Sequence, residues 1–98
     1  MKKLEIIDAA KRDLERLSDY ALNNFDLARA DRVIDEITDR FRWLAETGFT
    51  GTPRDELQPG LRSYNQKAWR IFYRSDDKTL RITRVLHQSR DVKAEDFD

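Results

Sequence analysis

Ninety-eight residues leave room for one domain, spanning 1–98, and none for a second core. Apolar and charged residues each make up 39%, and 19 basic side chains balance 19 acidic ones, so the chain is highly charged with a net charge of zero. The absence of cysteine excludes disulfides, thiolate metal sites and thiol catalysis. Neither a metal nor a cofactor is expected. No segment is apolar and long enough for a signal peptide or a membrane span, which makes the cytoplasm the expected location.

The charge is unevenly placed. Residues 1–50 carry 9 basic and 11 acidic side chains, 61–90 carry 8 basic against Asp76 and Asp77, and the tail 91–98 returns to a net −3. A basic stretch of this kind suits an acidic partner, protein or nucleic acid, though it also serves simply to keep an exposed sheet face hydrated.

In chain order, KLEIID (3–8) reads as a first strand, with Asp8 placed to cap the helix that follows. Ala10, Leu14, Leu17, Ala21 and Phe25 then form one apolar stripe at helical spacing. Asp26 is placed to cap a second helix, whose stripe is Leu27, Ala30, Ile34, Ile37, Phe41 and Leu44, and Gly48 stops it. The short connection predicts an antiparallel helical hairpin. A coiled-coil dimer is the alternative, but only about two and a half heptads are present and the strands need a helical cover. Residues 48–60, which hold all three glycines and both prolines, form the one long loop.

Three strands follow at 61–66, 69–75 and 79–88, the last two joined by a tight turn at Asp76-Asp77-Lys78. In the middle strand Trp69, Ile71 and Tyr73 point one way and Arg70, Phe72 and Arg74 the other. In the last, Leu80, Ile82 and Leu86 share parity with Arg84 while Val85 does not. That clash implies either a bulge or a sheet with apolar contacts on both faces. The expected fold is α+β: an N-terminal strand and an antiparallel helical hairpin packed on a mainly antiparallel sheet of three to four strands.

WLAETG (43–48), PRDELQPGLRSY (53–64), WRIFYRS (69–75) and ITRVLHQSRD (82–91), in this order and spacing, resemble the ParE branch of the ParE/RelE toxin superfamily. With the hairpin and the chain length, the resemblance covers nearly the whole chain. It departs at NQKA (65–68), where the family often has His or Gly. The resemblance implies the toxin of a type II toxin–antitoxin pair, held by a cognate ParD-like antitoxin in a hetero-oligomer, with DNA gyrase as its target. It also implies no membrane partner, and contact with operator DNA only through the antitoxin. The RelE branch shares the fold but cuts messenger RNA on the ribosome, and a non-toxic antitoxin-binding module is a third possibility.

His87, the chain's single histidine, is the candidate acid or base for RNA cleavage. Its bland reading is a strand-end histidine hydrogen-bonded to nearby backbone. The tail DVKAEDFD lacks the Tyr or His that resemblance to RelE-type nucleases leads one to seek, so no catalytic residue is assigned. Arg62, Arg70, Arg74 and Arg81 are expected on one sheet face, with opposite Cβ atoms about 5 Å apart, awaiting an anionic partner. Arg84, mid-strand, needs an acid, with Asp91 or a loop carboxylate as the expected choice, or else opens onto the basic face; Arg84, His87, Arg90 and Asp91 are the first candidates for target or antitoxin binding. Arg90-Asp91 reads as a strand-end ion pair and then as a contact surface. Trp43 lies off its helix's apolar stripe and is read as an exposed partner contact.

Overall fold

A computed structural model describes residues 1–97. Its elements are strand β1 (Lys3–Ile6), helices α1 (Asp8–Asn24) and α2 (Leu27–Thr47), and strands β2 (Thr52–Pro53), β3 (Arg62–Gln66), β4 (Trp69–Ser75) and β5 (Thr79–His87), followed by a single 3-10 turn at Ala94–Phe97. The five strands form one sheet in the order β1-β5-β4-β3-β2. β1 runs parallel to β5 and every other pairing is antiparallel.

The hairpin forms for the expected reasons, with two corrections. α2 is capped by Asp26, whose carboxylate accepts from the Arg29 amide at 2.8 Å, and it ends where Gly48 turns left-handed at φ 66°. α1 begins one residue earlier than expected: Ile7 takes the cap position without a side-chain bond, and Asp8 is the first helical residue. The cause is strand pairing. The Ile7 amide donates to the Ile82 carbonyl at 3.2 Å, so the chain leaves β1 before Asp8 and enters the helix at once. Asp8 still favours the helix through the dipole. Leu27 is 67% exposed and stands apart from the stripe it was expected to begin.

The helix-facing core joins Leu17, Ile37, Phe41 and Leu44 to Ile71, Tyr73, Leu80, Ile82 and Val85. A second, smaller cluster of Leu61, Phe72 and Leu86 lies on the opposite face, covered by Leu57, Val92 and Phe97. The parity clash in β5 therefore resolves both ways at once. Phe72 pairs with Arg84 and Tyr73 with Ile82, leaving Thr83 as the extra residue of a bulge. That residue restores Val85 to the helix face beside Ile82 and sends Leu86 to the other side. The Thr83 hydroxyl secures the irregularity by donating to the Phe72 carbonyl at 3.1 Å.

β2 raises the strand count beyond the expected three or four. It has two residues, one of them proline, and pairs with Arg62 and Ser63 at the sheet's margin, where a missing amide is tolerated. Gly51 leads into it at φ 64°, and a Cβ there would lie 2.2 Å from the Tyr73 hydroxyl and 2.6 Å from the Ser63 carbonyl oxygen. Tyr73 is buried and donates from its hydroxyl to the Phe49 carbonyl at 3.3 Å; burial pushes its phenol up to about 12. Gly48, also left-handed, faces open space. Chemical denaturation should separate the two glycines: Gly51→Ala is expected to cost about 2–4 kcal/mol through strain and overpacking, and Gly48→Ala about 1 kcal/mol.

Candidate functional site

β1 ends at Ile6, but β5 continues for five more residues, leaving its outer edge without a strand partner. α1 supplies the substitute. Asp13, only 3% exposed, accepts from the Val85 amide at 3.0 Å and from Arg84 Nε and Nη2 at 2.7 and 2.9 Å. Arg16 adds a longer contact at 3.5 Å. Arg84 Nη1 then donates to the Asp96 carbonyl at 2.9 Å, so one guanidinium joins helix, strand and tail. The Asp13 hydrogen bond holds the Arg84 pKa above its ordinary value, against the opposing effect of burial.

Arg84 is thus consumed inside the fold, and its acid is Asp13 rather than Asp91 or a loop residue. Asp13 lies three residues after Ala10 and four before Leu17, inside the apolar stripe. An acid at a core position was the available signal, and sequence reasoning passed over it.

Next to this clamp a groove runs between the helical hairpin and the ends of β4 and β5. Its centre is Tyr20, Trp69 and His87, with ring centroids 5.8 Å apart for Tyr20–Trp69, 5.1 Å for Trp69–His87 and 6.2 Å for Tyr20–His87. One limb, of about 580 Å³, extends past Phe25, Val33 and Ala68 under Arg29, Arg32, Glu36 and Lys67. The other, of about 510 Å³, extends along Val85 and Leu86 to Arg16, Ser89 and Arg90. Both acids that reach the groove are already matched, Glu36 by Lys67 at 2.8 Å and Asp13 by Arg84. The rim is therefore net cationic over an apolar floor. Lys67, at the β3–β4 turn, holds φ 53°, a conformation that glycine adopts more readily.

His87 stands at the junction of the two limbs. Its Nδ1 lies 2.7 Å from the Ser89 hydroxyl and accepts from the Ser89 amide at 3.1 Å, matching the strand-end geometry of its bland reading. The other expected residues are dispersed. Arg62 pairs with Tyr73 and so belongs to the helix-facing side, away from Arg70, Arg74 and Arg81. Arg74 and Arg81 sit opposite each other, but Arg81 is neutralised by Glu5 at 3.0 Å and Arg74 Nε donates to Gln58 at 3.2 Å. The expected wall of four unsatisfied guanidiniums does not form, because Arg62 has the opposite parity and Glu5 arrives from the parallel strand. Arg70, half-buried, makes no ion pair among the described residues.

Arg90 pairs with Asp96 at 3.1 Å, not with its neighbour Asp91, which is exposed. Trp43 is half-buried rather than exposed, packed against Phe49 and Tyr64 at 5.3 and 5.6 Å with the Arg40 guanidinium 4.8 Å from its ring. Tyr20 and Trp69 received no site role from sequence, although Tyr20 follows Leu17 by three residues and so flanks the same stripe. Among the described residues no cluster of metal ligands occurs and no helix is long and apolar enough to cross a membrane.

The fold and these motifs agree with comparisons to known proteins. Residues 4–92 match the model of the ParE toxin of type II toxin–antitoxin systems, parDE. The chain is 30% identical over 74 residues to Toxin ParE3 of Caulobacter vibrioides, covering 76% of this chain and 74% of that protein. It therefore belongs to the ParE family: it is a toxin of the type II toxin–antitoxin class, within the ParE/RelE superfamily. Among solved structures it resembles the chromosomal ParDE system of P. aeruginosa, with a TM-score of 0.76, 20% identity and coverage of 89% of this chain and 96% of that one. The toxin–antitoxin complex RelBE2 of Mycobacterium tuberculosis gives a TM-score of 0.68 at 23% identity, over 88% and 96%. YafQ of E. coli gives 0.52 at 15%, over 91% and 96%.

Two measurements test the clamp and the tail it holds. Removing one partner of a buried pair strands the other charge, so Asp13→Asn and Arg84→Met are each expected to cost about 3–5 kcal/mol in urea unfolding. The Lys93 amide and then the Arg90 charge hold the Asp96 carboxyl below the usual carboxylate range. A carboxylate whose pKa folding lowers adds stability above its unfolded value, near 3.9, and loses it as the pH falls through the folded value. Tail amides 93–97 should lose hydrogen-exchange protection below about pH 4 while β4 and β5 keep theirs.

Proposed function

We propose that this toxin inhibits DNA gyrase by binding, without breaking a bond itself, and that a cognate ParD-like antitoxin silences it by laying an acidic amphipathic segment in the Tyr20–Trp69–His87 groove. The observation that carries the neutralisation is the groove: an apolar, aromatic floor, a rim of Arg16, Arg29, Arg32 and Lys67, and both nearby acids already paired. Such a surface favours a ligand with apolar anchors and carboxylates, since the anchors supply burial and the charges steer the encounter. The gyrase target rests on family membership. Contact with operator DNA would pass through the antitoxin.

The test is a supercoiling assay with purified gyrase. Inhibition is expected at excess toxin, reversed by an equimolar amount of antitoxin; no inhibition at any excess would sink the gyrase reading. Trp69→Ala and the double charge reversal Arg29→Glu/Arg32→Glu are each expected to weaken antitoxin binding by roughly 30-fold or more, the loss of a hot spot worth about 2 kcal/mol.

One observation favours a second reading, RelE-like cleavage of messenger RNA. Tyr20 and His87 lie side by side in a groove that also holds Arg16 and Arg90, a set able to move protons and to stabilise phosphate charge. Message cleavage within minutes of induction, abolished by His87→Ala, would establish that reading over gyrase inhibition.

A further inference from the structure

We infer that the sheet face turned away from the helices is a docking site for an acidic linear segment of a partner polypeptide, held closed in the free toxin by its own tail. The tail shows what chemistry the face accepts. Residues 91–97, DVKAEDF, carry three acids and two large apolar side chains, Val92 and Phe97. Both apolar side chains pack on the Leu61, Phe72 and Leu86 cluster, with the Phe97 ring edge-on to Phe72 at 5.1 Å. The face is thus an apolar patch that the chain covers with a segment rather than with a strand or a long helix.

Much of what holds the tail does not depend on its sequence. Arg84 donates to the Asp96 carbonyl at 2.9 Å and Gln58 to the Phe97 carbonyl at 3.3 Å, groups that any polypeptide offers. The charged setting then selects acids. Arg90 pairs with Asp96, and Arg70 and Arg74, which make no ion pair among the described residues, share the face, while Arg54, 5.5 Å from the Phe72 ring, is already matched by Glu56 at 3.1 Å. Main-chain acceptors, two apolar sites and surrounding guanidiniums are the elements of linear-peptide recognition.

The tail is also built to lift. Asp91, Lys93, Ala94 and Glu95 are exposed, and Val92 and Phe97 are only half-buried, so few contacts oppose local opening. When it leaves, Arg84 keeps its grip on Asp13 and presents a free Nη1 donor to the next carbonyl. A competing segment must outdo the tail's high effective concentration, so occupancy in trans needs either tail release or higher affinity.

The test uses the full chain and a synthetic peptide of residues 89–98. Phe97→Ala should detach the tail. By heteronuclear NMR that variant is expected to bind the peptide at least 10-fold more tightly than the unaltered toxin does, with shifts at the Leu61, Phe72 and Leu86 amides. A peptide carrying the same Phe→Ala change should produce none of these shifts, and one with its acids replaced by amides should bind at least fivefold more weakly. Equal binding to both proteins, or none to a folded Phe97→Ala chain, overturns the proposal. Should Phe97→Ala fail to fold, native-state hydrogen exchange on the unaltered toxin decides. Tail amides that open far more often than those of β4 support the strap, and tail amides that open only with global unfolding overturn it. A dimer of the unaltered toxin that disappears in Phe97→Ala would assign the face to the tail of a second copy and overturn the partner reading.

Discussion

A buried carboxylate on the first helix determines where everything else in this toxin can sit. Two charges removed from water cost several kcal/mol each unless geometry and extra hydrogen bonds repay them. Asp13 and Arg84 meet that condition with two parallel bonds, helped by the Val85 amide and a tail carbonyl. Few positions of α1 on β5 allow all of these bonds at once. The pair therefore acts as a register pin between residues 71 apart in the chain. It also ends the exposure of the β5 edge, which would otherwise offer an unpaired amide to any passing strand.

The groove is a consequence of that pin. With α1 held against β5, Tyr20 is carried over the ends of β4 and β5, where Trp69 and His87 pair across the ladder. α2 closes the far limb and contributes Arg29 and Arg32, while Lys67 enters from the β3–β4 turn. Of the acids at this rim, Asp13 is taken up chiefly by Arg84 and Glu36 by Lys67, which leaves Arg29 and Arg32 without an ion pair among the described residues. A chain of zero net charge thus still presents a local cationic surface, because its charges are sorted by the fold rather than balanced at each point.

The two faces of the sheet are finished differently. The helical face is a conventional core of aliphatic and aromatic side chains. The other face is thin, closed by one loop leucine and two tail residues, and ringed by arginines whose partners are mostly close at hand. Trp43 packs at the margin of the helical core. With Phe49, Tyr64 and the Arg40 guanidinium it builds an aromatic corner that ties the loop after α2 to β3.

Sequence alone determined what depends on near neighbours. Apolar spacing places both helices, turn-forming residues place the long loop and the Asp76 turn, and alternation places β3, β4 and β5 within a residue or so, because these signals act over a few positions of chain. The family motifs lie on the same local elements and so were legible too. Tertiary structure alone decided which acid answers Arg84, which face each arginine occupies, and that the tail returns to cover Phe72. One extra residue, Thr83, reverses side-chain parity along the rest of β5, and a parallel strand brings Glu5 to Arg81 from 76 positions away. Periodicity cannot carry such information, since pairing across a sheet and burial of a charge are properties of segments that meet only after the chain has folded.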